Sequence, residues 1–134
     1  MTFQLHPKLE KDTFAVITLT LCDVRLMNDC RYPWLILVPR LADLTDLHQV
    51  PVTDQPHLWQ EINQASYALE AICAPFKLNV AALGNQVSQL HIHVIARHQD
   101  DSAWPGPVWG VGDAQTYDPA DSRSLIDQLR RELS

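Results

Sequence analysis

The stretch that decides the reading of this chain is Gln86-Val-Ser-Gln-Leu-His-Ile-His-Val-Ile-Ala-Arg97. Its last nine residues, QLHIHVIAR, alternate in the manner of a β-strand, in which successive side chains point to opposite faces. Leu90, Ile92, Val94 and Ala96 then share an apolar face that belongs against a core. Gln89, His91, His93, Ile95 and Arg97 share the other. One carboxamide and two imidazoles stand in a row, about 7 Å apart along the strand. Imidazole is the side chain best suited to act as nucleophile or proton donor near neutral pH. Two His at i and i+2 are equally compatible with a zinc pair or with hydrogen-bonded surface residues. A zinc site needs further ligands, and the spacing of His98, His57, His48, His6 and Cys22 nominates none of them.

The other elements arrange themselves around this strand. Residues 14–22 (FAVITLTLC) are β-branched-rich and read as a strand, with 24–27 pairing back across Asp23. Residues 28–33 (NDCRYP) form a turn, and 34–38 (WLILV) a strand buried on both faces that stops at Pro39. Residues 41–50 accommodate one or two helical turns. Asp54 is the expected N-cap of a long helix with Pro56 in its first turn. Leu58, Ile62, Ala65, Leu69 and Ile72 give that helix one apolar stripe, and Pro75 ends it. Residues 78–83 read as a further strand, Gly84-Asn85 as a turn, and 122–132 as a terminal helix. The class is α+β with a mainly antiparallel five-stranded sheet, one long helix and a shorter C-terminal helix.

Composition narrows the function classes. The chain has 134 residues, 46% of them apolar and 19% charged, which is about one domain with a real core. Ten Lys and Arg against 16 Asp and Glu leave a formal charge of −6, an argument against charge-driven nucleic-acid binding. No apolar run approaches the roughly 20 residues of a membrane span, and residues 1–12 lack the apolar segment of a signal peptide. Cys22, Cys30 and Cys73 are odd in number and widely spaced, as expected of reduced thiols in the cytoplasm.

The segment Gln86–Arg97 resembles the signature of the histidine triad (HIT) superfamily, His-φ-His-φ-His-φ-φ with φ apolar. The order of Asn28, the 34–39 strand, the long helix and the 78–83 strand is similar to that family over residues 14–110, with 111–134 as a C-terminal tail and helix of one single domain. The tail WPGPVWG resembles that of a bacterial subgroup. The resemblance implies that His91 is the nucleophile toward the α-phosphorus of a nucleotide and that His93 contacts the phosphate oxygens and assists the leaving group. It also implies phosphate contacts for Gln86 and Ser88, a ribose contact for Asn28, no cofactor or metal, and a homodimer. The sequence departs from the family at Gln89, which stands where the first triad His belongs. A further His that many members carry on an earlier strand is missing, and Trp34 stands near its place. Gln89 can donate an N–H to a phosphate oxygen but cannot carry charge or relay a proton. The transferase branch tolerates Gln at another triad position, so catalysis is not excluded.

Three residues have two readings each. Arg97 is a phosphate ligand or a strand-end charge. Asn79 orients the site loops or bonds backbone. Trp109, with Trp104, stacks on a base or reaches a partner's site, or packs on its own sheet. The functions carried forward are a HIT-type nucleotide hydrolase or nucleotidyl transferase, a nucleotide-binding module with little catalysis, and a metal-binding protein using His91 and His93.

Overall fold

The computed structural model describes residues 2–134. Five strands run β1 (Thr13–Thr18), β2 (Cys22–Met27), β3 (Trp34–Pro39), β4 (Lys77–Ala81) and β5 (Ile92–Arg97). They form one antiparallel sheet in the order β1-β2-β3-β5-β4. Helices α1 (Pro7–Asp12), α2 (Gln55–Cys73) and α3 (Pro119–Leu133) complete the fold, with a 3-10 turn at Leu47–Gln49. The α+β class and the five-stranded antiparallel sheet expected from the sequence are what the chain adopts.

The sheet is covered on both sides, and every residue of β3 and β5 is buried. On one side Leu35, Leu37, Leu90, Ile92, Val94 and Ala96 pack under α2 and α3. On the other, Trp34, Ile36, Val38 and Ile95 pack with Leu9 of α1, Tyr32, Val87 and Val108. The alternation read from QLHIHVIAR therefore holds, but both faces lie against protein.

Several local expectations change. The β1–β2 turn is at residues 19–21, and Asp23 lies inside β2 opposite Thr18. The turn sits earlier because Glu61 of α2, itself buried, accepts the Leu21 and Cys22 N–H groups at 2.8 and 2.7 Å. Asp54 precedes α2 but makes no side-chain cap; the helix starts at Gln55 with Pro56 in its first turn, and ends at the C-cap Ala74, whose φ of 44° is left-handed. Of residues 41–50 only 47–49 are helical. β5 begins at Ile92, later than expected, because the Leu90 N–H bonds the Leu44 carbonyl at 2.9 Å in place of a strand partner. Helix α1, absent from the sequence reading, is capped by His6 Nδ1, which accepts the Lys8 N–H at 3.0 Å, and begins on Pro7.

Removing the Glu61 carboxylate orphans two buried N–H groups, at about 1–3 kcal/mol each. Glu61→Leu is expected to lower unfolding free energy by about 3 kcal/mol in urea titrations, and Glu61→Gln, which keeps one acceptor, by about half that.

Candidate active site

His93 opposes Ile36 of β3, and His91 lies one residue before β5. Both are nearly buried, at 4% and 5% exposure, with ring centroids 4.8 Å apart. Their hydrogen bonds set different tautomers. Nδ1 of His91 is 2.7 Å from the Gln89 carbonyl oxygen. A carbonyl only accepts, so Nδ1 carries the proton and Nε2 keeps its lone pair. For His93 the order is reversed. The Trp34 indole N–H donates to Nδ1 at 3.0 Å, and an indole is a donor only. His93 therefore carries its proton on Nε2. Burial, with a smaller contribution from His91, pushes His93 down to about 3 from its ordinary 6.5. The site thus presents one imidazole nitrogen with a free lone pair and one with an N–H, side by side.

The pair opens into a cavity of about 330 Å³, whose other lining includes Lys8, Leu9 and Asp12 of α1, Met27, Gln86 and Trp109. The Trp109 ring stands edge-on to His93 at 5.0 Å and to Trp34 at 5.9 Å. A second cavity of about 320 Å³, lined by Thr45, Asp46, His48 and Gln89, meets the first at Leu83, Gly84 and His91. Gly84 has φ +68°, and a Cβ there would lie 3.1 Å from the Val87 carbonyl and 3.9 Å from His91 Cε1.

The HIT domain family model matches residues 8–100. The chain belongs to the HIT family. It is similar over its whole length to a histidine triad protein of Bradyrhizobium japonicum, at 42% identity, TM-score 0.98 and full coverage of both chains. A histidine triad protein of Sinorhizobium meliloti is 44% identical, with TM-score 0.96 and 98% of each chain covered. A hypothetical histidine triad nucleotide-binding protein of Sulfolobus tokodaii shares the fold, at TM-score 0.69 and 11% identity over 90% of this chain and 83% of that one. No curated protein matches.

Within this HIT domain the structure brings His91, His93, Gln86 and Trp109 to one cavity. Other expected site residues lie elsewhere. Gln89 is turned to the N-terminal segment: its Oε1 accepts the His6 N–H at 2.8 Å and its Nε2 donates to the Gln4 carbonyl at 2.7 Å. Those bonds occupy the carboxamide that was expected to position phosphate. Gln89 instead fastens the segment leading into α1, and α1 forms one wall of the cavity. Ser88 is exposed on an adjoining cleft beside Gln4 and Pro7. Asn28 accepts the Tyr117 N–H on Oδ1 at 2.9 Å, tying down the C-terminal segment.

Arg97 and Asn79 form an interior network. Arg97 donates to Asp101 at 2.8 and 3.0 Å, to Asn79 at 2.8 Å and to the Gly106 carbonyl at 2.7 Å. At 1% exposure, with its donors engaged, Arg97 is no phosphate ligand. It anchors the 98–109 loop that carries Trp109. Its hydrogen bond holds the Asp101 carboxyl down to about 2. Among the described residues, no three His, Cys, Asp or Glu side chains are grouped for a metal ion. The cavity residues the sequence reading missed, Lys8, Leu9 and Asp12, sit on a helix of six residues, too short to show periodicity. The His6-Pro7 start was its only signal.

Two predictions follow from this geometry. Native His93 refuses a proton that the unfolded chain accepts, so its contribution to stability is complete above pH 6.5 and is lost as pH falls toward about 3. Denaturant unfolding from pH 6.5 down to pH 4 should show a slope of up to about 1.4 kcal/mol per pH unit from this group, absent in His93→Asn. Asp101 adds acid lability only below its ordinary 3.8. Gly84→Ala combines left-handed strain with the close carbonyl; a loss of about 1 kcal/mol or more in the same assay is expected.

Proposed function

We propose that this HIT protein cleaves a nucleotide at the α-phosphorus, releasing a nucleoside monophosphate through a nucleotidyl-histidine intermediate. The observation that carries the reading is the opposed tautomers of His91 and His93. The His91 Nε2 lone pair attacks phosphorus; the new N–P bond forms as the bond to the leaving oxygen or nitrogen breaks. The Nδ1–H of His91, already bonded to the Gln89 carbonyl, steadies the imidazolium that results. The His93 Nε2–H bonds a phosphate oxygen as charge develops. Water then attacks phosphorus and frees His91, so that over the cycle its hydroxyl stays on phosphorus and its proton accounts for that on the leaving group. Phosphoanhydride or phosphoramidate substrates of adenosine suit this scheme. Leu9, Met27 and Ile36 supply an apolar wall for a base, Trp109 an aromatic edge and Lys8 a cation within the same cavity.

The test is AMP release from an adenosine phosphoramidate and from a dinucleoside polyphosphate in metal-free buffer, with intact-protein mass read in parallel. His91→Ala is expected to lower release by at least about 10³-fold and to abolish any AMP adduct. Retention of most activity would sink the mechanism. A second reading, a nucleotide-binding module, is favoured by the engagement of Gln89 with the N-terminal segment, which leaves two imidazoles in the row. Under it AMP raises the melting temperature and neither product nor adduct forms.

The partner we propose is a second copy of the chain. β4 is an edge strand, and exposed Val80, Leu83, Phe76, Trp59 and Tyr67 surround it and the adjoining face of α2. Light scattering is expected to give a dimer for the native chain and a monomer for Val80→Asp. No helix among the described residues is long and apolar enough to cross a membrane. The free thiols of Cys22, Cys30 and Cys73 support a cytoplasmic setting.

A further inference from the structure

We infer that Trp34 is a positioning residue that locks His93 in its neutral Nε2–H form, making His93 a fixed hydrogen-bond donor to the substrate rather than a proton shuttle. The inference rests on the reading of His91 and His93 as the reacting pair. It begins with the row of three in which Gln89 has turned away to bind residues 4 and 6. The ring beside the nucleophile then needs another source of orientation, and Trp34 of β3 supplies it.

The indole N–H meets His93 Nδ1 at 3.0 Å in the buried interior. Protonating Nδ1 would set two N–H groups against each other there. Surrender of the Nε2 proton, with no second proton accepted at Nδ1, would leave an imidazolate. Neither state is accessible near neutral pH, so His93 bonds the phosphate without giving up its proton, and the leaving group is protonated by solvent. The aromatic surroundings reinforce the geometry. Trp34 is held edge-on by Tyr32 at 6.3 Å and by Trp109 at 5.9 Å, and Trp109 also closes on His93 at 5.0 Å. The charged side chains lining the same cavity are Lys8 and Asp12 of α1, paired with each other at 3.0 Å, and the remaining titratable neighbour is His91. Among the described residues no carboxylate hydrogen-bonds His93 to favour its charged form, in keeping with the low position of its titration.

The experiment follows the ring nitrogens of the full chain, labelled with [15N]histidine, by long-range proton–nitrogen correlation from about pH 8 to about pH 4. Adenosine phosphoramidate turnover is measured on the same preparations. For the native protein, His93 is expected to show an unprotonated Nδ1 and a protonated Nε2 throughout. In Trp34→Phe both tautomers should appear and His93 should take up a proton at higher pH, because the hydrogen bond favouring the neutral ring is gone. kcat should fall roughly tenfold to a hundredfold, with KM changed less than about threefold. Benzothienylalanine placed at position 34 keeps the bicyclic shape and lacks the N–H, and it should behave like Trp34→Phe even if the smaller ring disturbs folding. A native His93 carrying its proton on Nδ1, or a benzothienylalanine variant with native tautomer and kcat, would overturn the assignment. Absence of native turnover would count against the proposed hydrolysis alone, since the nitrogen spectra decide the role of Trp34 without it.

Discussion

Strand β5 is buried along its whole length, with helices on one side and with α1 and the 98–109 loop on the other. Each polar group on it must therefore find a partner inside the protein, because an unsatisfied buried polar atom costs about 1–3 kcal/mol. His93 finds the indole of Trp34, and Arg97 finds Asp101, Asn79 and the Gly106 carbonyl. The first bond fixes the tautomer of an imidazole that lines the cavity. The second fixes the loop that carries Trp109 over the same cavity. Both answer to one constraint, and both join elements distant in the chain.

The cavity is built from parts that would not hold their places alone. Helix α1 has six residues and no stability of its own. Pro7, the His6 cap and the Gln89 carboxamide hold it against the sheet. A carboxamide offers a donor and an acceptor from one planar group, which is what an extended backbone presents at Gln4 and His6. Imidazole at position 89 would match it less well, having one nitrogen on each side of a rigid ring. The departure from the triad pattern is thus coupled to the packing of the N-terminal segment, and the same segment brings Lys8 and Leu9 to the cavity.

Much of the fold was legible in the chain. The apolar run of β3, the stripe of α2 and the alternation in QLHIHVIAR are period signals long enough to read, and they place His91 and His93 together. The hairpin turn was misplaced because the β-branched run continues past it; the partner that decides it, Glu61, lies 40 residues away. The family resemblance implies a ribose contact for Asn28, and the residue types leave two readings each for Asn79 and Arg97. In the structure each has a protein partner, and for Asn28 and Arg97 that partner follows β5.

By itself the sequence determined the periodicities that select an α+β sheet, the family pattern, and the identity of the two imidazoles, because these depend on residue type and short-range spacing. Only the tertiary structure decided the direction of each hydrogen bond around them: Gln89 away from the cavity, its carbonyl onto His91, and Trp34 onto His93. Tautomer and charge follow from those bonds. They are properties of partners brought together across the sheet and by loop packing, and spacing along the chain does not contain them.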